Sequence, residues 1–301
     1  AAFALDRLDT KIRNKATAEA AFGYPVLAEI PPLQSRKSRD ELVALTEPSS
    51  PFVEAYRGLR TVVALTAEAS PNGSTEKHGH VILVTSPGAG EGKTTTAAHL
   101  GAMLAEVGRS VLVVSADLRR PRLHVLFGTE REPGLTEMLS NEGDAPDLRD
   151  LVKTTALSRV RLLPSGAPTE NPAPLLRQAG EVLSAARKVF DFVIVDTAPL
   201  LIANDATELA TVADGVLVMA RATRTSIDAA QRSAELLNRL DTPVMGAVLV
   251  GATDTPTAYS YYRYRYYSDR PSRWSKAPRK DGSALAAHAL NSDTTDEQST
   301  V

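Results

Sequence analysis

No cysteine occurs among the 301 residues, so disulfides and thiolate-bound metals are excluded. That composition suits a reducing compartment. No apolar run approaches the ~18 residues that a membrane-spanning helix needs. Neither sign of charge dominates: 34 Lys and Arg stand against 36 Asp and Glu. The net charge of −2 points away from a nucleic-acid partner. No signal peptide is visible, and the chain opens without Met. Its first residues read as a cut inside a longer protein, whose membrane spans this chain would lack. Aromatic residues are scarce at 5%, which makes their placement informative. Six of the eight tyrosines crowd into "YSYYRYRYY" (259–267): Tyr259, Tyr261, Tyr262, Tyr264, Tyr266 and Tyr267. Arginines separate them, and nothing apolar nearby could bury them.

What is present is a core. Apolar residues make up 43% of the chain, enough for one large domain with flanking segments. Continuous apolar strands are expected at 80–85, 110–115, 159–163, 192–196, 214–220 and 243–250. Helices are expected at 93–108, 134–140, 172–189, 204–212 and 225–239. Unbroken apolar strands alternating with amphipathic helices specify an α/β fold, a mostly parallel sheet with helices on both faces. Upstream, residues 1–22 read as a helix with Leu5, Leu8 and Ile12 on one face. "YPVLAEIPP" (24–32) reads as an edge strand closed by two prolines, and 33–50 as a linker. A helix follows over 50–70, with Ser50 as cap and Pro51 in its first turn. The expected division is 1–49 as a juxtamembrane piece, 50–253 as the domain, and 254–301 as a disordered tail. Basic residues dominate the tail over 259–280, whereas 281–301 holds acids and no Lys or Arg.

The strongest chemical signal is "VILVTSPGAGEGKTTTAAHLGAML" (81–104). A buried strand runs into a glycine-rich loop that opens a helix at Lys93, the context a phosphate-binding loop requires. Residues Gly88, Ala89, Gly90, Glu91, Gly92, Lys93, Thr94 and Thr95 would surround the phosphates. Glycines let backbone N–H groups approach closely, and the helix N-terminus favours anions. Lys93 would act as a point charge on the terminal phosphates and Thr94 as a Mg²⁺ ligand. The fold is therefore expected to be of the P-loop NTPase type. One position departs from the strict motif: Pro87 stands where Gly is usual. Two more strands end in acids, "VLVVSADLRRP" (111–121) at Asp117 and "FDFVIVDTAP" (190–199) at Asp196. An aspartate at the carboxyl edge of a parallel sheet is placed to hold a metal or its water.

These three motifs, with "AFGYPVLAEIP" (21–31) and "NPAPLLRQ" (171–178), resemble the bacterial tyrosine kinases. That family comprises the cytoplasmic domains of polysaccharide co-polymerases, and the resemblance runs from about residue 16 to 267. It implies ATP and Mg²⁺ as cofactors. It implies Lys93, Asp117 and Asp196 as catalytic residues and Thr94, Asp117 and Asp196 as metal ligands. The six clustered tyrosines would be phosphoacceptors, modified in trans by a neighbouring copy. The family's Glu-x-x-Arg-x-x-Arg oligomerisation motif falls on Glu54, Arg57 and Arg60, implying a homo-oligomeric ring; read without the resemblance, these three form a solvated helix face. The resemblance also implies an activator segment outside this chain, exogenous protein-tyrosine substrates, control of capsular or exopolysaccharide synthesis, and a place on the cytoplasmic side of the plasma membrane.

Three positions depart from the family. Ser115 replaces the first Asp of its Asp-x-Asp motif, a candidate base, which predicts slower turnover. Gly88 stands where partition-type ATPases carry a second lysine. Val250 stands where many relatives carry an adenine-reading Asn. Two other functions stay open from sequence, a non-catalytic ATP-binding regulator of chain length and a partition-type ATPase. The tail segment 259–270 carries a net charge of +2. It should be drawn to an acidic metal site, and repelled after phosphorylation adds about −1.5 to −2 per tyrosine. Arg119 and Arg120 would neutralise phosphate, grip a neighbour, or stand solvated beside Pro121.

Overall fold

The computed structural model describes residues 10–33, 40–69, 79–140 and 147–252. The six clustered tyrosines, the acidic terminal segment, and Leu5 and Leu8 lie outside the described residues.

Five strands, β2 (His80–Thr85), β3 (Val111–Ser115), β5 (Val160–Leu163), β6 (Phe192–Asp196) and β7 (Gly215–Arg221), form the centre of the sheet. β1 (Val26–Ile30) and β8 (Val244–Val250) extend one side, and the two-residue β4 (Lys153–Thr154) ends the other. Among the described residues the order is β1-β8-β7-β2-β6-β3-β5-β4, with every pairing parallel except β4 on β5. Side chains alternate across it. Val81, Leu83, Val193 and Val195 join one apolar cluster; Ile82, Val84, Val111, Val113 and Ile194 join the other. Both faces are apolar because helices cover both.

The first face carries α1 (Lys15–Phe22), α6 (Leu135–Ser140), α8 (Pro172–Leu176), α9 (Ala179–Ala186), α10 (Asp205–Ala210) and α11 (Ile227–Arg239). The second carries α2 (Val43–Thr46), α3 (Pro51–Ala69), α4 (Lys93–Glu106) and α5 (Leu123–Phe127). The remaining helix, α7 (Leu148–Leu151), packs on the first face. α3 buries Phe52, Tyr56, Leu59, Val63 and Ala67, the three-and-four spacing of one helical stripe. Ser50 caps it, its Oγ accepting from Val53 N at 3.4 Å. Fully buried leucines such as Leu59 and Leu100 each contribute about 1.5–3 kcal/mol. α4 lies close on β3 through Gly101, where an added Cβ would fall 2.8 Å from Val113 Cγ2. Any side chain at 101 would push the helix off the sheet.

Several expectations are corrected. The expected helix over 1–22 is interrupted: residues 10–14 are not helical and a helix begins at Lys15, while residues 1–9 lie outside the described residues. Asn14 Oδ1 accepts from Thr17 N at 2.9 Å and Thr17 Oγ1 accepts from Asn14 N at 3.2 Å, a reciprocal cap that stops the helix there. Ile12 is instead fully buried in an extended stretch bridged to Ser226. The 33–50 linker contains α2 and buries Leu42 and Val43. The helix expected over 172–189 divides into α8 and α9, where Gln178 N donates back three residues to Leu175 O at 3.0 Å. α5, α7 and β4 are too short for a periodic signal. β1, assigned from sequence to the juxtamembrane piece, is an edge strand of the domain's own sheet, pairing with β8.

Candidate active site

β2 delivers the chain to the carboxyl edge of the sheet, and residues 86–92 turn it into α4. Gly90 and Gly92 adopt φ of 74° and 99°, left-handed conformations that strain other residues. Gly92 is the N-cap of α4 and makes no side-chain cap bond. The first amides of α4 are thus left for an anion. Lys93 is buried and lines a cleft of ≈ 680 Å³ together with Ala89, Gly90, Gly92, Thr94, Thr95 and Asp117. Val250 and Gly251 close one side, and Phe52 and Tyr56 another. Tyr56 hydrogen-bonds Thr96 at 3.0 Å and stacks on His99 at 5.1 Å. Burial drives the Tyr56 hydroxyl's pKa up and that of His99 down to about 4, so both are neutral. Phe52, Tyr56 and His99 form an aromatic cluster between α3 and α4 rather than a set of proton carriers.

The register aligns Val84, Asp196 and Ser115 on adjacent strands. Alternation turns Ser115 and Asp196 to the α4 face. Both are fully buried, and Ser115 Oγ and both Asp196 oxygens lack a hydrogen-bond partner. Burial raises the Asp196 pKa to about 7. The nearby Thr94 hydroxyl and Lys93 ammonium lower it without closing a bond of normal geometry, and Asp117 raises it further. A buried carboxylate beside Thr94 and Lys93, with no partner of its own, fits a divalent cation. Among the described residues no group of three His, Cys, Asp or Glu converges on one point. Such an ion would therefore need waters and phosphate oxygens as further ligands, as Mg²⁺ does. Asp117 lies two residues past Ser115 and lines the cleft, its Oδ1 accepting from Arg120 N at 3.0 Å.

The mouth of the cleft is basic, which corrects the expectation of an acidic site. Arg119, Arg120, Arg122, Arg221 and Arg224 line it with Lys93, against Asp117 as the one acid among its described lining residues. Arg119 does not stand solvated: its Nε donates to Asp205 Oδ2 at 2.8 Å, and Asp205 is fully buried while Arg119 is 44% exposed. Asp205 gave no signal in sequence, since an acid after "AN" reads as the first turn of a helix. Glu54, Arg57 and Arg60 share one face of α3. Arg57 pairs with Glu54, and Arg57 and Arg60 reach Glu106 at the end of α4, at 2.6 and 3.0 Å. The Arg57 bond, with Arg60 beside it, lowers the Glu106 pKa. Glu106 lies 49 residues from Arg57 in the chain, and only packing of α3 on α4 brings them together.

Residues 79–244 match the family described as an AAA domain. The chain is 33% identical over 231 residues to the tyrosine-protein kinase YwqD of Bacillus subtilis (strain 168), covering 76% of this chain and 93% of that one. It is 28% identical over 266 residues to the tyrosine-protein kinase wzc of Salmonella typhimurium, covering 82% of this chain but 36% of that relative. The chain thus spans about a third of that longer relative. Its fold is similar to the kinase domain of the Escherichia coli tyrosine kinase ETK, with a TM-score of 0.71 and 27% identity, covering 81% of this chain and 97% of that domain.

Proposed function

The chain belongs to the bacterial tyrosine kinases, and from that premise we propose that its cleft transfers the γ-phosphoryl group of ATP to tyrosines on the tail of a neighbouring copy. The observation that carries this reading is Asp196, a fully buried and unpartnered carboxylate beside the phosphate loop. Mg²⁺, when bound with ATP, neutralises charge on the β- and γ-phosphates. Lys93 and the amides of residues 89–94 would hold those phosphates in place. Asp196 and Thr94 would hold the cation, with Asp117 beside them. The tyrosine oxygen forms its bond to the γ-phosphorus as the bond to the bridging oxygen breaks. The phenolic proton passes to Asp117, and ADP leaves. A tyrosine hydroxyl has an ordinary pKa near 10, so proton removal belongs late in the step. Ser115 supplies no carboxylate to assist, which makes turnover slow.

Arg57 and Arg60 would exchange their contacts with Glu106, and Glu54 its pairing with Arg57, for a neighbour's in a ring. The protein would be tethered to the plasma membrane through a segment outside this chain and would govern capsular or exopolysaccharide assembly. No helix among the described residues is long and apolar enough to cross a membrane.

The test is incubation of the purified protein with Mg·ATP, mapping of phosphotyrosine, and Lys93→Met as control. Phosphate on Tyr259, Tyr261, Tyr262, Tyr264, Tyr266 or Tyr267, lost by at least about a hundredfold in the control, is expected. Nucleotide bound without transfer would instead leave a non-catalytic regulator.

A further inference from the structure

The loop between β7 and α11 lies across the phosphate loop. Arg221 Nη1 donates to Gly90 O at 3.1 Å, and the Arg224 guanidinium packs on Gly90 so closely that a Cβ there would lie 3.1 Å from it. The central contact is more buried. Glu91, 4% exposed, accepts from Gly88 N at 2.7 Å through Oε2 and from Thr225 Oγ1 at 2.5 Å through Oε1. Thr225 Oγ1 also accepts from Arg221 N at 2.8 Å, which turns the hydroxyl proton toward Glu91.

Thr225 is itself held from outside. Ile12 N donates to Thr225 O at 2.9 Å, Thr223 N to Ile12 O at 2.7 Å and Ile227 N to Thr10 O at 2.8 Å. Thr223 sits at φ 63°, a left-handed conformation that strains a β-branched residue. The strap of residues 10–12 keeps it there, anchored by the buried Ile12 side chain.

We propose that Glu91 is a positioning residue for nucleotide binding, tied back from the phosphate space by Gly88 N and Thr225 Oγ1. A carboxylate inside a phosphate loop repels the ligand unless it is held aside; Thr225 holds it aside, and the bond Glu91 accepts from Gly88 N sets the loop's curvature. This inference rests on the nucleotide reading of the cleft. Neither residue touches the ligand; each acts through the loop backbone.

The test measures Mg·ADP affinity of the full chain by calorimetry. Thr225→Val keeps the shape and removes the donor; it should weaken binding about tenfold while the Tm of the nucleotide-free protein shifts by no more than about 2 °C. Thr225→Ser should restore affinity to within about twofold. Glu91→Gln placed on Thr225→Val should recover most of the loss, because the freed side chain no longer carries charge. Glu91→Ala reads the same tie if Thr225→Val folds poorly, and should also weaken binding. Wild-type affinity in Thr225→Val, or in Glu91→Ala should Thr225→Val not fold, overturns the inference alone. Absence of nucleotide binding in the wild type overturns the functional reading and this inference with it.

Discussion

The same two strands end in the same two residue types at both ends, with opposite outcomes. Ser110 and Asp191 stand just before β3 and β6, and Ser115 and Asp196 close them. At the first end the pair closes on itself: Asp191 Oδ2 accepts from Ser110 N and Ser110 Oγ, both at 2.8 Å, and Asp191 N donates to Ser110 Oγ at 3.0 Å. Asp214 at that end of β7 likewise accepts from Val81 N at 2.7 Å and pairs with Arg187. At the other end Ser115 Oγ and both oxygens of Asp196 have nothing. At one end the Ser–Asp pair is spent on the fold, while at the other the same residue types are left unsatisfied where a ligand would complete them. Chemistry is kept at the carboxyl edge because the helix amides also point there.

The contrast can be broken from either side. The largest effect is expected for Asp196→Asn, which should weaken Mg²⁺-dependent nucleotide binding by about a hundredfold or more, measured by calorimetry with and without the metal. The same change should raise the Tm of the nucleotide-free protein above pH 7 by at least about 2–4 °C, the shift that roughly 1 kcal/mol gives a domain of this size. The sign follows from the raised pKa. Folded Asp196 takes up its proton near pH 7 and the unfolded residue near its ordinary 3.8. Its contribution to stability therefore falls as pH rises from about 4 to 7, and the metal competes better as the proton leaves. Melts of the wild type and Asp196→Asn across pH 5–8 should diverge as pH rises. If they run parallel, Asp196 is not the strained group described.

Asp191→Ala at the opposite end should cost about 2 kcal/mol of stability through the unpaired Ser110 amide and leave nucleotide affinity unchanged, read by denaturant unfolding beside calorimetry. Ser115→Asp restores a second carboxylate beside Asp196 and should raise tyrosine phosphorylation about tenfold in a timed phosphotyrosine assay; no gain would show that Ser115 is not what limits turnover. Ser110→Ala, the smallest of these, should lower stability by about 1 kcal/mol with no change in that assay.

Where the phosphate loop and the strand-end aspartates lie was legible in the chain because those signals are local. A strand of unbroken apolar residues, a glycine-rich turn and a helix start occupy one continuous stretch, 81–104. Short elements were not legible: α5, α7 and β4 span five residues or fewer, less than two turns of any period. Residues 10–14 were read as helix because Ile12 fits a helical stripe as readily as it fits an extended strap, and the Asn14–Thr17 cap that follows carries no hydrophobic signature.

By itself the sequence determined the α/β architecture, the phosphate loop around Lys93 and the aspartate that ends β6, since backbone propensity and apolar period act over neighbouring residues. Tertiary structure alone decided which charges are spent. It paired Arg119 with Asp205 across 86 residues, gave Arg57 and Arg60 to Glu106, and tied Glu91 to Thr225 across 134 residues. It also left Asp196 without a partner, because hydrogen bonds and desolvation depend on what the fold packs beside a group, and that neighbour is not the one beside it in the chain.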